Sequence, residues 1–353
     1  MSTHPEEAPS PYEGTREQAW KLLSTADYVR FSASVDGQQV VRCFNVAVVD
    51  GTLCFHGGRR GGKQALIGAT VLASAEEVVA QVPSYWVDPV MACPASTYYL
   101  SAQAAGTVRP ITDLHGKARV LSALMQRFQP EGGYAAIDPN DRKYAAVLER
   151  LTVAAFVPER MQARNKLGQK RSAAQIERVL EGLWQRGQSG DLRAIRLVQE
   201  AHPARPRPAF MRGPADTGLC VNPNADDARQ VAALLEGQYW TEGYESSRRV
   251  AAHLSSSAWL VARSREGEVV ASARAVSDGA RYAWILDVVV RSDHRGRGIG
   301  RFVTQRLLEH PRLAQVQNVG LATRDAQAFY GRLGFAPKGK GADETLRLVR
   351  VEG

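Results

Sequence analysis

The stretch Asp293-His294-Arg295-Gly296-Arg297-Gly298-Ile299-Gly300 constrains this chain more than any other, because of what flanks it. Before it runs an apolar segment of strand length, Trp284 to Val290; after it comes an amphipathic one, Phe302 to Leu308, which Pro311 brings to an end. Strand, glycine-rich turn and helix in that order expose bare backbone N–H groups at a helix start, where an anion is favoured. Glycines at 296, 298 and 300 let the main chain approach a phosphate with no Cβ in the way, and Arg295 and Arg297 supply positive charge. No Lys-Ser/Thr follows the last glycine, so the turn is not a P-loop, and it lacks the length of a Rossmann fingerprint. A diphosphate held by main-chain donors is the expected ligand.

A second segment, Leu321-Ala-Thr-Arg-Asp-Ala-Gln-Ala-Phe-Tyr330-Gly-Arg-Leu-Gly-Phe335, follows at the distance that helix, strand and short helix require. Together the two motifs resemble the GNAT N-acetyltransferase superfamily, whose acetyl-CoA site joins an Arg-x-x-Gly-x-Gly turn to a later helix bearing Phe-Tyr and ending in Leu-Gly-Phe. The likeness extends from about Cys220 to Glu352 and includes Tyr239-Trp-Thr-Glu-Gly-Tyr244 and Ser277-Asp-Gly279 ahead of Trp284-Ile-Leu-Asp287. It implies an α+β acetyltransferase fold with a central mixed sheet and acetyl-CoA as co-substrate. It places CoA on Arg295, Gly296, Arg297, Gly298, Ile299 and Gly300, with the pantetheine arm along the backbone of Val288 and Val290 and Asp325 close by.

Acetyl transfer to an amine needs a proton acceptor for the amine, donors for the tetrahedral oxyanion and a proton for the departing thiolate. By the resemblance, Tyr330 is the candidate acid. For the base, Asp287 lies inside an apolar strand, where an unpaired carboxylate is costly, so it must be paired, face the cleft or titrate high. Glu242, in the loop expected over the acceptor, is the alternative, and a water chain is a third. Asp325 or Thr323 is expected to cap the Tyr330 helix. Tyr239, Trp240 and Tyr244 either line an aromatic pocket for a small amine or belong to the core. Gln327 stands where the most similar subfamily carries histidine, which removes a titratable group from that position.

At 353 residues the chain is long enough for two domains. No apolar run approaches the length of a membrane span, and the first residues lack a signal-peptide pattern, so a cytoplasmic location is expected. Cys43, Cys54, Cys93 and Cys220 have no C-x-x-C pairing and no histidine at metal spacing, so neither zinc nor disulfides are expected. The net charge of +9 is spread along the chain, whereas a nucleic-acid binder concentrates it on one element.

The segment His202 to Pro214 is rich in proline and reads as a linker, giving domains over 1–200 and 217–353 with 201–216 between them. Upstream, strands are expected over 28–33, 39–49, 52–56, 71–82, 97–108 and 153–157, helices over 16–23, 63–68 and 116–128, and one helix from Ser172 to about Glu200. Asp50-Gly51 is a two-residue hairpin signal. Many short strands with few helices suggest a barrel.

Four further segments carry a second likeness: Arg42-Cys-Phe-Asn45, Asp50 through His56 to Lys63, Ser101-Ala-Gln103 to Val108, and Lys166 to Arg171. They resemble the pyridoxamine 5'-phosphate oxidase-like flavin-binding split barrel, an antiparallel barrel with added helices. The resemblance implies FMN as cofactor, with heme or a deazaflavin in some relatives, and a homodimer. Arg42, Asn45, His56, Arg59, Lys63 and Gln103 are the candidate FMN contacts, since a flavin phosphate needs cationic groups and polar donors. The expected whole is a small-amine N-acetyltransferase fused to a flavin-binding barrel that is itself an oxidoreductase candidate. The alternatives are a flavin oxidoreductase with an ancillary acyl-CoA domain, and a flavin- or CoA-sensing transcriptional regulator.

Overall fold

The computed structural model describes residues 10–58, 63–337 and 345–349. They form two compact units, the first comprising residues up to 78 together with 97–166, the second 79–96 together with 167 onward.

In the first unit the elements run β1 (Glu13–Gly14), α1 (Arg16–Thr25), β2 (Val29–Val35), β3 (Gln38–Phe44), β4 (Ala47–Val49), β5 (Thr52–Gly58), β6 (Thr70–Val82), β7 (Ser96–Ile111), α2 (Leu114–Phe128), α3 (Arg142–Arg150) and β8 (Leu151–Lys166). The strands form one sheet in the order β3-β2-β6-β7-β8-β5-β4, with β1 added to β8. This is an antiparallel split barrel with helices, as expected. Asp50 and Gly51 both take positive φ, 49° and 73°, which matches the twist of the strands they join. Phe31, Phe44, Phe55 and Phe156 fill the core, Phe44 and Phe55 stacking at 4.4 Å between centroids. The expected helix over 63–68 is only a 3₁₀ turn, Gln64–Leu66. Helix α3 is an addition to the expected elements, capped by Asp141, which accepts from the N–H groups of Lys143 and Tyr144.

Arg127, near the end of α2, donates to three carbonyls, those of Ser24, Ala26 and Val46, at 2.6–2.7 Å. It thereby satisfies the end of α1 and the start of β4 with one planar group. Arg127→Ala is expected to lower unfolding stability by about 3 kcal/mol in denaturant titrations, since the carbonyls lose charge-assisted donors. A change of a few tenths would show that water replaces them freely.

The second unit contains α4 (Ala173–Arg186), α5 (Asp191–Ala201), β9 (Gly218–Cys220), α6 (Ala225–Leu234), α7 (Ser246–Leu254), β10 (Ala258–Arg263), β11 (Val269–Ser277), β12 (Tyr282–Val290), α8 (Ile299–Leu308), β13 (Asn318–Ala322), α9 (Gln327–Gly331), β14 (Ala336–Pro337) and β15 (Thr345–Val349). Its sheet has the order β14-β15-β13-β12-β11-β10-β9 and is mixed, with β12 and β13 parallel and the other pairs antiparallel. Helix α6 packs Ala228, Val231 and Leu235 against Trp259, Val261 and Val289 on one face.

The single helix expected over 172–200 is two. Gly187 and Gly190 take φ of 60° and 92°, and a Cβ on Gly187 would stand 2.0 Å from Pro311, so the break is fixed by packing as well as conformation. The proline-rich segment also departs from an extended linker: Phe210 and Met211 are buried and Phe210 stacks on Trp184 at 5.3 Å. The expected boundary over 201–216 falls inside this unit.

His310 is buried in this unit, edge-on to Trp184, and its Nδ1 accepts from the Arg312 N–H. Burial, with a smaller push from Arg312, lowers its pKa from 6.5 to about 4. The folded form therefore holds fewer protons than the unfolded chain between those values. Its contribution is complete above pH 6.5 and is lost as pH falls toward 4, by about 3 kcal/mol. Unfolding midpoints measured across this window should fall with acid in the wild type and change less in His310→Gln; equal slopes would contradict the assignment.

Candidate active site in the second unit

The parallel pairing of β12 and β13 is confined to Tyr282, Ala283 and Trp284 opposite Asn318, Val319 and Gly320. Beyond that point the strands part, and Ile285–Val290 has no β13 partner. The fork is set by two features. A Cβ on Gly320 would stand 2.5 Å from the Trp284 ring, so only glycine lets the indole cross there. Then Leu286 opposes Arg274 while Val289 opposes Ser272, so Asp287 and Val288 together face one residue of β11. This is a β-bulge, and Asp287 takes φ of 51° within it, a conformation Asp tolerates better than most residues. The Arg291 N–H bonds Val270 on β11 at 2.8 Å. By alternation the Val290 backbone turns the other way, toward the fork, and its carbonyl accepts from Arg295 Nε at 3.2 Å.

The strand leads into the glycine turn. Gly296 and Gly298 take φ of 75° and 81°, and Gly298 is the N-cap of α8, with no side chain to satisfy the helix start. The Phe302 N–H bonds the Gly298 carbonyl, so the N–H groups of Ile299, Gly300 and Arg301 precede the first α-helical bond. A Cβ on Gly300 would lie 3.2 Å from Val290 and 3.8 Å from the Phe329 ring. Glycine there lets α8 begin close against both β12 and α9. Arg295 and Arg297 are exposed, and Arg297 has no partner among the described residues.

Tyr330 is buried on α9, in edge contact with Phe329 and Phe335. Burial first, then the neighbouring Tyr239 and Asp325, push its pKa up to about 12, so the phenol keeps its proton. Tyr239 reaches this place from the 239–241 turn: its hydroxyl accepts from the Arg324 N–H at 3.0 Å and its ring lies under the Arg324 guanidinium at 4.7 Å. Thr323, rather than Asp325, accepts from the Ala326 N–H and secures the start of α9. Gln327 donates its amide to the Arg324 carbonyl at 3.0 Å. Trp240, Tyr244 and Glu242 are exposed.

Asp287 is paired. Its Oδ2 accepts from Arg274 Nε at 2.6 Å, and both side chains are nearly buried, at 12% and 11% exposure. His253, on α7, was not singled out from the sequence. It is 1% exposed, its Nδ1 lies 2.8 Å from the Arg249 carbonyl, and its Nε2 is buried with no partner among the described residues. Burial depresses its pKa, the Arg274 charge adds to that, and the Arg249 bond and Asp287 oppose it. A histidine in an amphipathic helix gives no sequence signal of such a place.

In the first unit the structure groups His56, Gly57 and Lys63. The Lys63 ammonium fills the space a Cβ on Gly57 would take, 1.6 Å from that position, with no acidic partner among the described residues. His56 titrates low through partial burial and then the Lys63 charge, although its surface remains exposed. Arg42 donates to the Val41 carbonyl and Asn45 to that of Asp27, so neither shares a bond with this group. Gln103 is exposed on β7, opposite Gln162 of β8. Arg59 lies outside the described residues.

The two units therefore define a class: an acetyltransferase-type mixed sheet following a split barrel of flavin-binding type. Residues 15–165 match the pyridoxamine 5'-phosphate oxidase family and residues 227–335 match the acetyltransferase (GNAT) family. Serotonin N-acetyltransferase 2, chloroplastic, of Oryza sativa subsp. japonica is 42% identical over 95 residues, 26% of this chain and 47% of that protein. An uncharacterized N-acetyltransferase, ycf52, of Pyropia yezoensis is 39% identical over 69 residues, 19% of this chain and 40% of that protein. The chain thus spans less than half the length of these relatives. The FAD and heme binding protein of Mycobacterium smegmatis aligns at 22% identity and a TM-score of 0.38, over 44% of this chain and 73% of its own.

Proposed function

We propose that this chain is an acetyl-CoA-dependent N-acetyltransferase of a small amine, carrying a flavin-binding barrel and acting as a homodimer in the cytoplasm. One observation carries the transferase reading: the edge of β12 beyond Trp284, which has no strand partner on that side among the described residues, leads directly into the glycine turn that opens α8. Backbone groups of Val288 and Val290 hold the pantetheine arm as a missing strand would, and the N–H groups of Gly298–Arg301 take the diphosphate, with Arg295 and Arg297 adding charge. Tyr330 donates a proton to the departing thiolate. Asp287, held by Arg274, receives the amine proton directly or through water, with Glu242 the alternative on the rim. Tyr239 and Trp240 border the amine.

The test is thiol release from acetyl-CoA with a panel of alkyl- and arylalkylamines, matched to acetylated amine by mass; absence of both product and CoA binding would remove the reading. Asp287→Asn keeps the bulge conformation accessible and should lower kcat about 100-fold with little change in acetyl-CoA affinity. An unchanged kcat would transfer the role to Glu242 or solvent.

For the barrel, an ammonium with no acidic partner among the described residues, seated on glycine backbone beside His56, fits a flavin phosphate. A bound FMN would supply the redox chemistry of its ring, and Lys63 would anchor the phosphate. The isolated protein should absorb as an oxidised flavin, and Lys63→Ala should weaken FMN binding about tenfold by fluorescence titration. A Soret band in place of the flavin spectrum would point to heme instead.

A further inference from the structure

Against β9, the strand at one edge of the mixed sheet, lies a cavity of about 400 Å³, walled by α4, α5 and the proline-rich segment. That volume suits a small molecule. Most of its wall comes from residues 176–224, between the two family-matched ranges.

Arg196, Arg205, Arg207 and Arg263 line it, and the only carboxylates among the lining residues are those of Glu200 and Asp227. Asp227 is committed to Arg263 and to the Asn224 N–H. Glu200 meets Arg196 only loosely, at 3.7 Å, and Arg196 Nε is buried without a hydrogen bond. Arg205 donates to the carbonyls of Arg171 and Ser172, which are neutral and leave its charge in place. Arg207 packs onto Gly218, where a Cβ would stand 1.6 Å from its Nη1, and has no acidic partner among the described residues. His202 also faces the cavity, bonded to the Leu167 carbonyl. Among the described residues that line it, two positive charges are therefore uncompensated in a concave space beside the apolar side chains of Ile176, Leu180 and Leu219. Like charges gathered this way repel one another and focus a potential that an anion relieves, and guanidinium forks match phosphate or carboxylate oxygens two at a time.

We propose that this cavity is a second, non-catalytic site for a small organic dianion, a phosphomonoester or dicarboxylate, with its charged end on Arg205 and Arg207 and its apolar body against Ile176, Leu180 and Leu219. The site shares no residue with the acyl-transfer reading and does not depend on it.

The experiment is calorimetric titration of the full chain with phenyl phosphate and, separately, phenylsuccinate, at constant ionic strength with saturating CoA and FMN. Arg207 is exposed, so Arg207→Ala should fold normally. Wild type is expected to bind at least one of the two probes, and Arg207→Ala to bind it at least tenfold more weakly while keeping its acetyl-CoA affinity. Preference for either probe identifies the charged group. No heat above a chloride control in the wild type, or equal affinity in Arg207→Ala, overturns the proposal.

Discussion

Gly298→Val is expected to weaken acetyl-CoA binding at least 100-fold, read by calorimetry. Two effects combine at this position. Gly298 sits at φ 81° as the N-cap of α8, so any Cβ there adds left-handed strain of about 1–2 kcal/mol, more for a β-branched residue. Relief of that strain would swing the turn and misdirect the N–H groups of Ile299, Gly300 and Arg301, which must all aim at one diphosphate. Strain alone can be separated from misdirection. Gly279 has nearly the same φ, 76°, in an exposed turn with nothing near its missing Cβ. Gly279→Val should cost similar stability yet leave acetyl-CoA affinity unchanged. If both variants lose affinity equally, general destabilisation explains the result and the turn is not the binding element.

Tyr330→Phe is expected to lower kcat by about a thousandfold while the acetyl-CoA dissociation constant stays within twofold, the pattern of an interaction made only in the transition state. The substitution keeps the ring that contacts Phe329 and Phe335 and removes only the hydroxyl. The pH dependence adds a second readout. With its pKa raised to about 12, the phenol remains protonated across neutral and moderately alkaline solution, so Tyr330 contributes no alkaline fall in rate until pH approaches that value. An alkaline limb near pH 8 that vanishes in Tyr330→Phe would contradict this. So would an unchanged kcat.

The parts of this site legible in the sequence are those whose geometry is local. The turn at 296–300 follows from glycine spacing between a strand and a helix, and Asp50-Gly51 forces its hairpin in the same way. Asp287 stands out in the sequence because a carboxylate in an apolar strand demands an explanation; its partner, Arg274, lies on the neighbouring strand and follows only once the register is known. The fork itself depends on Trp284 crossing Gly320, a contact between residues 36 apart that no periodicity records. His253 joins the Asp287–Arg274 neighbourhood through helix packing, and Tyr239 meets Arg324 through loop packing, which are likewise non-local. The break between α4 and α5 has a local sign, Gly187-Gln-Ser-Gly190, set against an apolar period that runs on either side of it. The barrel's Phe44–Phe55 stack joins strands whose separate alternation said only that each has a buried face.

Amide hydrogen exchange with and without acetyl-CoA tests the central claim most directly, since that claim concerns main-chain donors. Binding should slow exchange in the 288–301 segment, strongest at Ile299, Gly300 and Arg301, with smaller effects on α9 and none required at β9. Acetyl-CoA that binds without protecting this segment, or protects another face of the sheet, would contradict the assignment of the β12 edge and the glycine turn as the acetyl-CoA site.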